Sequence, residues 1–343
     1  MYHKSKSVHL KSSASLRYNN LSVLCSPERN VTCYAVVHKA VVNISNCASE
    51  GAGSGVSPNV TQRQLHCKDV AGVTQNAAIL EAKFCELPSR TLMVVCCQKG
   101  VQMFEPDSSA LVFWHALFNS DGNDGFLFTR GIASVLDSFI AVGAAFVRDP
   151  ESPGTSTGSV LVFSIPSRGT NVQLSETLSG HSYPISAVAG AGDLMASGDD
   201  SGCIMVWQAG PKFYQLTRIN GGGATCSSLC LYKNLVIGGY GTGHIRFFDT
   251  QKGNLMTEIC AHAKWIHAMD LAPSVGLLLS TSEDTMLRVW SLKADDNQAK
   301  VSLAHQECIT DVQLCGAKFL DKEGHSFCVS GYDAPEVVCF TKG

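Results

Sequence analysis

Two histidines carry the residues best suited to chemistry. His181 is followed by Ser197, Asp200 and Trp207, and His262 by Ser280, Asp284 and Trp290. An imidazole beside a hydroxyl and a carboxylate can support nucleophilic or general acid–base catalysis. In such a set the carboxylate orients the ring and the ring takes the hydroxyl's proton. A tryptophan has no place in that set, because an indole N–H only donates. The four groups can instead satisfy one another as a buried hydrogen-bonded chain that locks a loop to a sheet. Two occurrences, each ending in tryptophan, point to this structural role. The set of His262, Ser280, Asp284 and Trp290 is complete. In the other, Asp200 comes one residue early and Ser201 holds the carboxylate's place, so His181, Ser197 and Trp207 are expected to form a partial network.

Other chemical signals are weaker. Gly239-Tyr240-Gly241-Thr242-Gly243 has the glycine content of a phosphate cradle, but it falls where two strands turn and no helix follows to lend its N-terminal dipole. No G-x-x-x-x-G-K-[ST] or H-E-x-x-H string is present. His115, His244 and His325 stand at no ligand spacing. None of the 15 cysteines sits in C-x-x-C spacing; Cys96 and Cys97 are adjacent, and Cys226 and Cys230 have three residues between them. The thiols therefore read as small buried hydrophobes in a reducing compartment, not as zinc ligands. Neither a cofactor nor a metal is expected. The sequons at Asn20, Asn30, Asn43 and Asn59 would matter only after secretion and, with no signal segment at the start, read as coincidence.

The elements that must position these residues repeat. Strand-like segments alternating on period two end in an aromatic anchor at Trp207, Phe248 and Trp290, 41 and 42 residues apart. Val101 to Phe104, Val160 to Phe163 and Glu336 to Phe340 have the same form. Longer spacings between anchors are explained by loop-like stretches rich in Gly, Pro, Ser and Asp at 119–125 and 148–158. Strand-like segments at 20–24, 31–38, 40–45 and 62–67, with a Gly/Ser-rich stretch at 48–58, add one more unit. Seven units result, at about 20–67, 79–116, 129–178, 184–219, 225–260, 266–304 and 308–340. The last has room for three strands only. Ser7 to Lys11 alternates and is expected to complete it, which would close a ring and remove an open sheet edge.

The period, the anchors and the set around Trp290 resemble WD40-repeat propellers, in which His262, Ser280, Asp284 and Trp290 match the structural tetrad position for position. The blade of Phe248 departs from the pattern, with Gly238 and Thr242 at its polar positions. The resemblance extends nearly end to end, through segments such as Gln62 to His66, Trp114 to Leu117 and Gly331 to Asp333. The expected fold is all-β: a seven-bladed WD40 β-propeller spanning 1–343 as one domain. The resemblance also implies a non-enzymatic protein in the cytoplasm, at vesicles or at the plasma membrane. It further implies self-association as a homodimer or homotrimer and a role near receptor signalling or vesicle trafficking.

Composition limits the alternatives. Charged residues make up 16% and hydrophobic ones 45%, which excludes disorder for most of the chain. A net charge of −3 offers no footprint for nucleic acid. The longest apolar run, Phe139 to Val147, is too short to span a bilayer as a helix, so a soluble chain with at most peripheral membrane contact is expected. The expected function is a protein-interaction scaffold. Its candidate contacts lie on the rim where the innermost strands begin: Trp265 and His267 after His262, and Pro184 after His181. The turns between second and third strands add Asp200, Tyr240, Glu283 and Tyr332. The alternatives are a reader of a peptide or modified residue, with an acidic or aromatic cage in the central channel, or an enzyme with a site gathered from several blades.

Overall fold

In the computed structural model the described residues are 1–48, 60–69, 71–117, 126–147, 157–294 and 298–343. The stretches read as loops at 48–58, 119–125 and 148–158 lie almost entirely outside them, as does Asn59. The sequence pattern becomes seven four-stranded antiparallel sheets. Blade 1 covers 22–66, blade 2 79–116, blade 3 126–181, blade 4 185–219, blade 5 226–260 and blade 6 266–308. Blade 7 covers 314–342 and takes its fourth strand from the amino terminus. The first strands of successive blades pack side by side, and that of blade 7, Leu314–Phe319, returns to that of blade 1, Ser22–Ser26. The sevenfold ring inferred from the anchors is the observed fold.

The cores lie between blades. Seven hydrophobic clusters fill the seven interfaces, from blades 1 and 2 round to blades 7 and 1. A middle strand is therefore covered on both faces and becomes continuously apolar instead of alternating. Arg90–Cys97 shows this, with its last six residues buried. The apolar run Phe139–Val147 is likewise a second strand, in blade 3. Outer strands such as Ala299–Cys308 are mostly exposed and polar.

Closure uses a longer segment than the alternation at 7–11 suggested. Tyr2–His9 pairs with Glu336–Lys342 from Tyr2↔Lys342 to His9↔Glu336, with a register shift between Lys4 and Ser7. That irregularity breaks the period-two pattern, and residues 3–6 are exposed and polar, so this half of the strand carried no hydrophobic signal. Tyr2 anchors its far end, edge-on to Phe327 with ring centroids 4.8 Å apart and its hydroxyl donating to the Gly324 carbonyl. Cys308, assigned above to the last unit, belongs to the outer strand of blade 6.

Candidate interaction site

The two tetrads are both complete hydrogen-bonded chains. In blade 6 the Trp290 indole donates to Ser280 Oγ over 3.0 Å, and Ser280 lies 2.8 Å from His262 Nε2. His262 Nδ1 faces the Asp284 carboxylate at 3.1 Å. Asp284 also accepts the backbone N–H groups of Ala263 and Met286, which fastens the loop to the turn. Burial lowers the His262 pKa against the pull of Asp284. Burial pushes the Asp284 pKa up, but hydrogen bonds and the His262 contact overcome it and hold the carboxyl well below the usual range.

In blade 4 the expected gap is absent, and the correction concerns which carboxylate serves. Trp207 donates to Ser197 over 2.9 Å, and Ser197 meets His181 Nε2 at 2.8 Å. His181 Nδ1 then reaches Asp199, not Asp200, at 2.7 Å. Asp199 and Ser201 stand two and four residues after the network serine, where blade 6 has Ser282 and Asp284. The carboxyl and hydroxyl have exchanged places along the turn. Ser201 donates to Asp199, whereas Ser282 accepts the N–H of Asp284. His181, Asp199 and Cys203 would converge closely enough for a metal, but the first two are already committed to this chain. Asp321, Glu323 and His325 form a second acidic group on the surface.

A side chain near the start of several innermost strands clasps the next blade: Arg130 in the first half of its strand, and the second residue, Ser186, Ser227 or His267, in three others. Arg130 donates through Nε and Nη2 to the Ile185 carbonyl at 3.2 and 3.1 Å. Ser186 donates to the Cys226 carbonyl over 2.6 Å, Ser227 donates to the Ile266 carbonyl, and His267 Nδ1 donates to the Leu314 carbonyl over 3.0 Å. Two rim residues proposed from the sequence are withdrawn from solvent: His267 is buried in its clasp, and Pro184, which takes no part in one, is also buried. Burial also lowers the His267 pKa.

Across the rim runs a segment the sequence did not single out. Residues 10–20 leave the closing strand, cross blades 7 and 1, and reach over the channel. Asn20 fixes the base by donating to the Ser15 and Val37 carbonyls and accepting from the Val37 N–H. Asn19 fixes the tip in the left-handed region at φ 51°, a conformation asparagine tolerates better than most residues. Its N–H donates to His267 O over 2.9 Å, its side-chain amide to Ser227 O, and it accepts from Ser228 Oγ at 2.8 Å. The central channel is thus filled at this level by the chain itself. On one side of Asn19 lies a cavity of about 290 Å³ whose charged groups are satisfied. There Lys318 pairs with Asp270 at 2.6 Å, Lys83 donates to Ile132 O, and Glu81 accepts from Gly131 N.

On the other side is the mouth, a cavity of about 340 Å³ lined by Leu16, Arg17, Tyr18, Leu80, Arg130, Trp265, His267 and Glu283. Trp265 is half-buried; its indole lies over Gly241 of blade 5, where an added Cβ would come within 3.0 Å of the ring. Tyr18 stacks on Trp265, rings 12° from parallel with centroids 6.1 Å apart, and its other partners are His267 and the Arg130 guanidinium, 5.1 Å from its ring centre. Arg130 also pairs with Asp200 at 3.0 Å. Burial raises the Tyr18 and Asp200 pKa values, and Arg130 opposes both shifts.

Of the sequence-derived rim residues, the mouth contains Trp265, His267 and Glu283, while Asp200 reaches it through Arg130. Glu283 lies 3.6 Å from Lys264. Tyr332 is 49% exposed in the corresponding turn of blade 7, and its neighbour Ala14 belongs to the crossing segment. Tyr240 is a correction. It is 1% exposed, packed between blades 4 and 5 with the Arg246 guanidinium 4.8 Å from its ring centre. The glycines around it form the turn between Leu235–Tyr240 and His244–Asp249. Arg17, Tyr18 and Arg130 were missed because only ring closure brings them together. The one catalytic spacing present, G-x-S-x-G at 154–158, has its serine outside the described residues; a strand, Thr157–Ser164, follows it where a nucleophile elbow needs a helix.

A family model described as WDR54 matches residues 1–342. Mouse WD repeat-containing protein 54 is 42% identical over 99% of this chain and 99% of its own length, and the human protein of that name is 40% identical with the same coverage. Mouse WD repeat and SOCS box-containing protein 1 is 38% identical over 22% of this chain and 18% of its own. Among solved structures, a chain of a mitotic checkpoint complex superposes with a TM-score of 0.71 at 16% identity, covering 99% of this chain and 91% of that one. That likeness concerns the fold.

Proposed function

The chain belongs to the WD repeat-containing protein 54 family, and on that premise we propose that it is a non-catalytic scaffold gripping other proteins at the mouth and rim of its channel. The observation that carries the reading is the half-buried Trp265, stacked on Tyr18 beside an open cavity and flanked by Glu283. Tryptophan and tyrosine anchors near the centre of a patch contribute disproportionately to protein interfaces. Tyr332 extends the patch toward blade 7. The histidines and aspartates that could have formed a catalytic set are absorbed in tetrads, which favours binding over turnover. A reader of a cationic modified residue is less favoured, because Arg130 already lies over the Tyr18 ring.

By family resemblance the scaffold self-associates as a homodimer or homotrimer and works at vesicle or plasma membranes near receptor signalling. Sedimentation of the purified chain tests the first point. The rim is tested by combining Trp265→Ala with Glu283→Lys. Proteins captured by the unaltered chain and identified by mass spectrometry should be lost, while circular dichroism and melting temperature hold. If the same proteins are still captured, this face is not the binding site.

A further inference from the structure

The charges around the mouth do not balance. Arg130 is matched by Asp200 at 3.0 Å and Lys264 by Glu283 at 3.6 Å, but Arg17 has no ion-pair or side-chain hydrogen-bond partner among the described residues. Its Nε is buried without an acceptor. So is Trp265 Nε1, which lies close enough to the Tyr18 hydroxyl to favour its ionised form yet makes no hydrogen bond of proper geometry with it. Arg17 and Trp265 both line the cavity, and the Arg17 guanidinium brings to it a charge that no described side chain pairs. An unpaired guanidinium is met most strongly by a charged acceptor. Burial and the neighbouring Arg130 both press on the Arg17 guanidinium, which an incoming negative charge would offset.

The geometry points to an acidic side chain of a partner polypeptide as the occupant of the mouth, its carboxylate pairing with the Arg17 guanidinium beside the Trp265 ring; this rests on the scaffold reading above. A cation is excluded from the best aromatic face, since Arg130 holds it. The volume, about 340 Å³, suits one side chain and part of its neighbour. Leu16, 38% exposed, and the half-buried Leu80 give that neighbour an apolar wall, so an acidic residue flanked by an apolar one fits best.

The chain has four tryptophans, and in a nitrogen-15-labelled sample the Trp265 indole signal is identified by its disappearance in Trp265→Phe. The probes are N-acetyl-Leu-Glu-Leu-amide, its glutamine counterpart and inorganic phosphate. The glutamate peptide should shift the Trp265 signal saturably and the glutamine peptide should bind about tenfold more weakly, as loss of a charged hydrogen bond implies. Arg17→Gln should weaken the glutamate peptide by a similar factor with an unchanged melting temperature, because Arg17 holds nothing else in place. Equal shifts from the glutamate and glutamine peptides, or none from either, overturn the inference. Phosphate binding more tightly than the glutamate peptide overturns the carboxylate assignment in favour of a phosphate. If partner capture depends on Trp265 and Glu283 but the peptides do not discriminate, the scaffold stands and this inference falls. A glutamate-selective titration with capture untouched keeps the anion site and removes the scaffold from this face.

Discussion

Replacing Asp199 by alanine should be far more damaging than replacing its neighbour Asp200. The Asp199 carboxylate is 1% exposed and serves four donors: His181 Nδ1 at 2.7 Å, the N–H and hydroxyl of Ser201 at 2.9 and 2.6 Å, and the Cys203 N–H at 3.1 Å. Asp199→Ala strands the His181 and Cys203 donors in the interior and loosens Ser201. At about 1–3 kcal/mol for each of the two stranded donors, the loss is about 2–6 kcal/mol. Asp200 is part-exposed and makes a single ion pair with Arg130, so Asp200→Ala should cost no more than about 1 kcal/mol. Urea unfolding followed by tryptophan fluorescence measures both. A sharper comparison uses the exchange between blades. Asp199→Ser combined with Ser201→Asp recreates the order of Ser282 and Asp284, and should recover at least half of what Asp199→Ser alone loses. If Asp200→Ala is the more destabilising, or the double variant is worse than Asp199→Ser, the reasoning about this network is wrong.

Trp290→Ala should lose about 3–5 kcal/mol, because it empties a buried site between blades 5 and 6 and strands Ser280; a neutral result in the same urea assay would contradict the tetrad. Acid should weaken the fold in a definite window. His262 and His267 are lowered by burial, so in the folded state they stay neutral while the unfolded chain protonates near the ordinary histidine value of about 6.5. Their contribution is complete above that value and is lost as pH falls below it. Burial raises the Glu81 pKa and acts in the opposite direction at lower pH, so the useful comparison is between variants. Between pH 7.5 and 5.5 the unfolding free energy of His267→Gln should fall less than that of the unaltered chain, and an equal or steeper fall would refute the assignment.

The ring was legible in the sequence because each anchor is a local event: a short alternating strand ending in Trp207, Phe248 or Trp290. The site was only partly legible, for three physical reasons. Counting residues to Trp207 placed the carboxylate in the turn, whereas Asp199 reaches His181 from the strand end. Tyr240 looked like a turn residue open to solvent, yet the neighbouring blade covers it. His267 is buried by a contact between blades, which leaves no trace in local spacing, and Pro184 is buried only as blade 4 folds. Arg17, Tyr18 and Arg130 illustrate the same limit: Arg130 lies more than a hundred residues from the other two in sequence and meets them only across the closed channel.

Pairing of Tyr2–His9 with Glu336–Lys342 also sets an order of events during translation. The Tyr2–His9 strand must wait for a partner synthesised more than three hundred residues later, and at 5–20 residues per second that wait is on the order of tens of seconds. Residues 16–18 hang from this strand, so the mouth they help build is assembled only after the preceding blades have formed. A nascent chain interrupted before Glu336 would leave Tyr2–His9 unpaired and the mouth incomplete. The architecture thereby keeps the mouth unbuilt in incomplete copies, and it leaves an unpaired strand edge exposed until the last blade is made.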